Sequence, residues 1–129
     1  MNAAGQQLAL VALGGAFGSV LRFLVTGTVH RWLPGLLFPI GTLAVNVTGS
    51  LLIGLVGGLA ESRQFLGPDL RVFLLTGCLG GFTTFSAFAF ESLGLALDAA
   101  WWRLLANVGA QLVLGLGAAV AGYVLGRAV

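Results

Sequence analysis

The chain has 129 residues and a mean hydropathy of +1.03, with 58% hydrophobic and only 8% charged residues, where a soluble domain carries about 25%. A water-soluble globule of this size would lack the charge to cover its surface. Its formal net charge of +2, from six Arg and four acidic residues, offers no basic patch to a phosphate backbone, so the composition describes an integral membrane protein and excludes nucleic acid as a partner.

Four stretches reach the roughly 20 apolar residues that a spanning helix needs. In chain order they are about Leu8–Val29, broken only by Arg22, and Leu37–Ala60, which has no charge. Val72–Leu97 follows, with Glu91 near its far end, and then Leu104–Gly126, again uncharged. Short connections separate them at 30–36, 61–70 and 98–103. Pro34-Gly35 and Gly67-Pro68 mark turns. Trp32, Trp101 and Trp102 fall beside the connections, where indole rings favour the headgroup region. The N-terminal stretch lacks a cationic n-region and continues too far for a secretory signal. It reads as a retained first helix of a single four-helix transmembrane domain over residues 1–129.

Four spans put both termini and the 61–70 connection on one side, with Arg63, Arg71 and Arg127. Arg31 and Arg103 lie opposite, and Arg22 leads toward that side. Three Arg against two or three is almost no bias, and Lys/Arg asymmetry sets orientation. Either the chain inserts both ways round, and opposed copies pair about a two-fold axis in the membrane plane, or a single Arg or the lipid selects one orientation. Glycine supplies 21 of the 129 residues. Gly14/Gly18, Gly54/Gly58 and Gly122/Gly126 are small-xxx-small pairs that let helix backbones approach closely, which describes a compact and oligomeric bundle.

Little catalytic chemistry is available. One cysteine, Cys78, excludes an intrachain disulfide or a zinc site of paired thiolates. One histidine, His30, excludes a HExxH helix and two-His haem ligation within one chain. The acidic residues Glu61, Asp69, Glu91 and Asp98 stand 8, 22 and 7 residues apart, and without Lys there is no P-loop. The chain does not read as an enzyme.

The third span contains Thr76-Gly77-Cys78-Leu79-Gly80-Gly81-Phe82-Thr83-Thr84-Phe85-Ser86-Ala87-Phe88. Three glycines in five residues, then adjacent β-branched threonines, are poor helix formers. An intact Gly-rich helix packed on a neighbour is one reading. A helix broken in mid-membrane is favoured, because the hydroxyls that follow can satisfy freed backbone groups, and freed carbonyls in such breaks surround small cations. Phe82, Phe85 and Phe88 recur every three residues and form a stripe. A phenylalanine ring edge is the positive side of its quadrupole, so it can face an anion without trapping it.

Asn46 is the only amide of the uncharged second span, and Thr42 lies one turn earlier on its face. Its NH₂ serves either an interhelical hydrogen bond or an anion. Arg22 can snorkel or hold positive potential at a vestibule. Glu91 sits near an interface or pairs with an Arg. Asn107 and Gln111 share a face of the last span, to line a path or bond a neighbouring helix.

The segments GGAFGSVLR at 14–22, GTLAVNVTGS at 41–50 and GCLGGFTTFSAF at 77–88, in this order, resemble the CrcB/Fluc family of fluoride channels over essentially the whole chain. The resemblance implies an all-α membrane protein with four transmembrane helices per subunit and the third broken. It also implies an antiparallel dual-topology homodimer with two fluoride pores along the subunit interface. Asn46 falls on the family's pore asparagine, Phe85 and Phe88 on its two pore phenylalanines, and Ser86 on a hydroxyl of its polar track, whereas Phe82 falls outside the set and reads as packing. Thr42 joins Asn46 in the expected fluoride path. Gly80 and Thr83 fall where backbone carbonyls of both subunits hold a structural Na⁺, and Arg22 matches a first-helix arginine with a vestibule or structural role. The chain departs from the family at Ala87, where threonine is common, and in having no Ser or Thr over residues 101–129.

The implied function is passive export of F⁻ across a bacterial plasma or inner membrane, relieving cytoplasmic fluoride that enters as HF and dissociates. Donors must replace the water of a strongly hydrated ion, and phenylalanine constrictions with a nearby Na⁺ would favour F⁻ over Cl⁻. Two alternatives stand beside it. One is a proton-coupled four-helix drug exporter, which needs an interior carboxylate and would have to use Glu91. The other is a structural membrane subunit.

Overall fold

The computed structural model describes residues 2–63 and 66–129; Gln64 and Phe65 of the 61–70 connection, and the side chain of Arg63 in the charge balance, lie outside the described residues. Helix α1 is Ala3–Trp32 and α2 is Ile40–Arg63. The third span divides into α3, residues 68–82, and α4, Phe85–Leu97, before α5 at Trp101–Ala128. Among the described residues four segments are long and apolar enough to cross a membrane, and the third of them carries the interruption.

The first, third and fourth spans are longer than the apolar runs that announce them and the second is displaced along the chain, for reasons local to their ends. Asn2 caps α1, its Oδ1 accepting from Gly5 N at 2.9 Å, and His30 and Arg31 in the last turn suit the negative end of the helix dipole. α2 begins at Ile40 rather than Leu37 because Pro39 disfavours helical backbone in Phe38 before it. The third span begins at Pro68 rather than Val72, with Gly67 before it still non-helical. Proline occupies the first helical position, where its missing N–H and fixed φ cost nothing. Trp101, Trp102 and Arg103 likewise form the first turn of α5 rather than a connection.

The helices associate as two pairs, α1 with α3 and α2 with α5, each running parallel. Glycine makes both seams. A Cβ on Gly14 would stand 2.7 Å from Phe73 O and 2.9 Å from Gly77 Cα, and one on Gly81 would stand 2.6 Å from Gly15 O. Gly54 and Gly58 meet the backbone of α5 at Ala119 and Tyr123, while Gly122 and Gly126 meet that of α2 at Leu51 and Leu55. The small-xxx-small pairs are therefore filled within one chain, by the close packing that holds helices together where lipid is as apolar as the side chains.

Val72–Leu79 within α3 is π-helical, and Gly80 N–H returns to Leu75 O, five residues back. The glycines at 77, 80 and 81 remain helical. The interruption falls on the threonines: Thr83 (φ −77°, ψ 157°) and Thr84 (φ −152°, ψ 113°) are both extended, as β-branched residues prefer. The interior is small and partly polar, with Val45 and Asn107 fully buried and Thr42, Leu43, Leu79 and Phe82 nearly so. The large apolar side chains cover the outside, the distribution of a protein solvated by lipid.

Candidate functional site

A two-residue break at membrane depth leaves peptide groups that lipid cannot satisfy, and the positions of polar side chains on α1 and α2 follow from that need. Thr84 N–H donates to Asn46 Oδ1 at 2.9 Å, and Asn46 Nδ2 donates back to Thr84 O at 3.1 Å. Arg22 Nη1 donates to Thr83 O at 3.4 Å and Ser19 Oγ to Gly81 O at 3.4 Å. Thr83 N and Oγ1 both donate to Leu79 O at 3.0 Å. Thr84 then caps α4, its Oγ1 accepting from Ala87 N at 3.1 Å. Ser19 and Arg22 of the 14–22 segment and Asn46 of the 41–50 segment thus converge on residues 81–84.

Two cavities flank the break. The first, about 330 Å³, is lined by Asn46, Ser50, Thr83, Thr84, Phe85, Phe88 and Gln111, among others. Phe85 and Phe88 pack edge to face with ring centroids 5.4 Å apart and planes at 65°. Phe85 is 78% exposed, so one flank of this cavity is open in the single chain. Phe82, the third member of the stripe, is buried against Gly49 instead. The N-terminus of α4 begins at this cavity, where unpaired helix N–H groups carry partial positive charge.

The second cavity, about 320 Å³, is lined by Ser19, Arg22, Thr26, Thr42, Thr84, Ala87 and Glu91, with Phe23 and Val45. Thr42 Oγ1 donates to Glu91 Oε1 at 2.6 Å, while Glu91 Oε2 is buried with no partner. Thr84 borders both cavities.

The structure accordingly sorts the residues singled out from sequence. Asn46, Phe85 and Phe88 meet in the first cavity, and Thr42 and Arg22 in the second. Ser86 lines neither cavity; its hydroxyl lies 3.1 Å from Thr84 Oγ1 at the exposed start of α4. Gly80 also lines neither, but the break removes its carbonyl's usual helical partner, since Thr84 N–H is held by Asn46. Thr83 O faces Arg22. No group of three His, Cys, Asp or Glu side chains occurs among the described residues, so a cation held here would depend on carbonyls.

Among the cavity residues outside the set singled out as pore or metal positions, Glu91 and Gln111 carry buried polar atoms without partners. Glu91 lies one helical turn after Ala87, which lines the same second cavity, and so turns away from the face of Phe85 and Phe88. Gln111 was one of two amides on α5, and only the fold separates them. Asn107 ties α5 to α4 by donating to Ser92 Oγ at 3.0 Å, whereas Gln111 Oε1 accepts from Asn46 Nδ2 at 3.1 Å in the first cavity.

Comparison with known proteins bears on the same segments. Residues 9–123 match the family model described as CrcB-like protein, Camphor Resistance (CrcB). The chain is 49% identical over 124 residues to a protein of Nitratidesulfovibrio vulgaris named fluoride-specific ion channel FluC, covering 96% of this chain and 99% of that one. It is 46% identical over 117 residues to a protein of the same name from Maridesulfovibrio salexigens (91% and 92%) and 48% identical over 120 residues to that of Agrobacterium fabrum (93% and 95%). Its four long apolar helices and full-length likeness to these bacterial relatives make it a multi-pass bacterial membrane protein, and the chain belongs to the CrcB family.

Proposed function

We propose that this protein is a fluoride-selective channel that exports F⁻ passively and relieves cytoplasmic fluoride toxicity. The observation that carries the reading is the first cavity, where the Phe85 and Phe88 rings stand beside the amides of Asn46 and Gln111 at a helix break. Relatives that align along almost the whole chain are named for fluoride conduction. The cavity's amide and hydroxyl groups include donors that can replace water around a small anion, and the ring edges restrict the path without a trapping charge.

The working unit in this reading is an antiparallel dual-topology homodimer with two pores. Its support is the balance of Arg across the connections and the open flank at Phe85, 78% exposed in a single chain, which a second copy would close. A structural Na⁺ at the two-fold axis, held by Gly80 and Thr83 carbonyls of both copies, fits in part. The Gly80 carbonyl is released by the break, whereas Thr83 O is shared with the Arg22 guanidinium. Bound there, the ion would supply a fixed positive charge near the anion path.

The test is fluoride efflux from liposomes, followed by electrode, with chloride-loaded liposomes and Phe85→Ile beside them. Rapid F⁻ loss, little Cl⁻ loss and a slow variant support the channel, and no F⁻ flux from folded protein rejects it. One observation favours a second reading: Glu91 lies inside a polar cavity with Arg22, as the carboxylate of a proton-coupled exporter would. Loss of proton-driven export in Glu91→Gln with unchanged fluoride flux would establish that reading.

A further inference from the structure

The hydrogen bonds at the break decide which amide faces the permeating ion. The Thr84 backbone N–H can only donate, so the Asn46 atom 2.9 Å from it is Oδ1. Asn46 Nδ2 is then fixed, and its two hydrogens go to Thr84 O and to Gln111, both at 3.1 Å. The Gln111 atom receiving the second must be Oε1, which leaves Nε2 as the free end of that side chain. Gln111 Nε2 is buried without a partner. Asn46 therefore has no N–H left for an anion, and the orientation of Gln111 follows from a backbone donor whose polarity is unambiguous.

The charge pattern of the cavity points the same way. Its amide acceptors are engaged, Asn46 Oδ1 by Thr84 N–H and Gln111 Oε1 by Asn46. The Gln111 Nε2 hydrogens and the hydroxyl of Ser50 remain, beside the first turn of α4. A buried donor without a partner is unfavourable, and a cavity with unmet donors suits an anion rather than a metal cation. We propose that Gln111, through Nε2–H, is the amide that binds the permeating anion, and that Asn46 holds Gln111 in the orientation that presents it. This inference rests on the channel reading above and assigns to α5 the donor that the resemblance places on α2.

The decisive experiment observes the Gln111 amide directly. Gln6, Gln7 and Gln64 are replaced by alanine, leaving Gln111 as the sole glutamine, and the protein is labelled with ¹⁵N-glutamine. Sodium fluoride should move the side-chain NH₂ protons downfield with saturation, and sodium chloride at equal concentration should not. No movement, or equal movement with chloride, overturns the assignment. In liposomes, Gln111→Met should slow fluoride efflux by about tenfold or more and raise the half-saturating fluoride concentration, while Gln111→Ser, which retains a donor, recovers part of the rate. Efflux from Gln111→Met within about twofold of the parent also overturns it, because loss of a required donor has a larger effect. A parent chain that conducts no fluoride would reject the channel reading, and the NMR titration would still decide whether Gln111 binds the anion.

Discussion

Asn46 pairs with both backbone polar groups of one residue, accepting from Thr84 N at 2.9 Å and donating to Thr84 O at 3.1 Å. The side-chain amide thereby completes the break as a neighbouring strand would, in a setting where no water is available to do so. Asn46→Ala should leave three unsatisfied groups, Thr84 N–H, Thr84 O and Gln111 Oε1, and cost about 1–3 kcal/mol for each that stays dry. Asn46→Asp keeps an acceptor for Thr84 N–H but sets a carboxylate oxygen against Thr84 O and Gln111 Oε1, so it should be the more damaging change. Denaturant unfolding in detergent micelles checks the order, and an alanine variant as stable as the parent would show that the clamp is dispensable.

The phenylalanine pair can be tested against a neighbour on the same helix. Phe85 and Phe90 are equally exposed, at 78%, but only Phe85 lines the first cavity. Phe85→Ile should slow fluoride efflux by about tenfold or more if its ring edge contributes transition-state stabilisation of at least the 1.4 kcal/mol that such a factor represents. Phe90→Ile should leave efflux near the parent rate. Equal effects of the two substitutions would locate the contribution in general packing of α4.

Glycine substitutions should separate by seam. No heavy atom lies within 4 Å of a Cβ built on Gly27, so Gly27→Ala should be neutral or stabilise α1 by about 0.5–1 kcal/mol. A Cβ on Gly122 would drive into the backbone of α2 at Leu51 and Leu55. Gly122→Ala should destabilise by about 1–3 kcal/mol, the range for overpacking. Thermal melting of the two variants in one detergent provides the comparison.

The bond from Thr42 Oγ1 to Glu91 Oε1 is 2.6 Å long and joins α2 to α4, helices with little other mutual packing. A double-mutant cycle with Thr42→Val and Glu91→Leu, each of which removes the bond, should give a coupling of about 1–3 kcal/mol. Additive effects would mean that the cavity around Arg22 is held by other contacts.

The sequence by itself determined the solvent, the number of spans and the weak point of the third, because these depend on local composition. Charge at 8% and four long apolar runs leave no soluble alternative, and three glycines followed by Thr83-Thr84 are poor helix formers, which favours a break there over an intact helix. Helix ends were legible only approximately, since capping by Asn2 and the helical role of Pro68 extend elements beyond their apolar cores. The tertiary structure decided what each polar residue faces. Asn46 and Thr42 share a helix face one turn apart, yet the break directs one to Thr84 and the other to Glu91, in separate cavities. Likewise Asn107 and Gln111 are equivalent along α5 until packing places one against Ser92 and the other against Asn46. A membrane helix offers a polar side chain few partners, so its role is set by which backbone groups a neighbouring helix leaves open, and that depends on contacts distant in the chain.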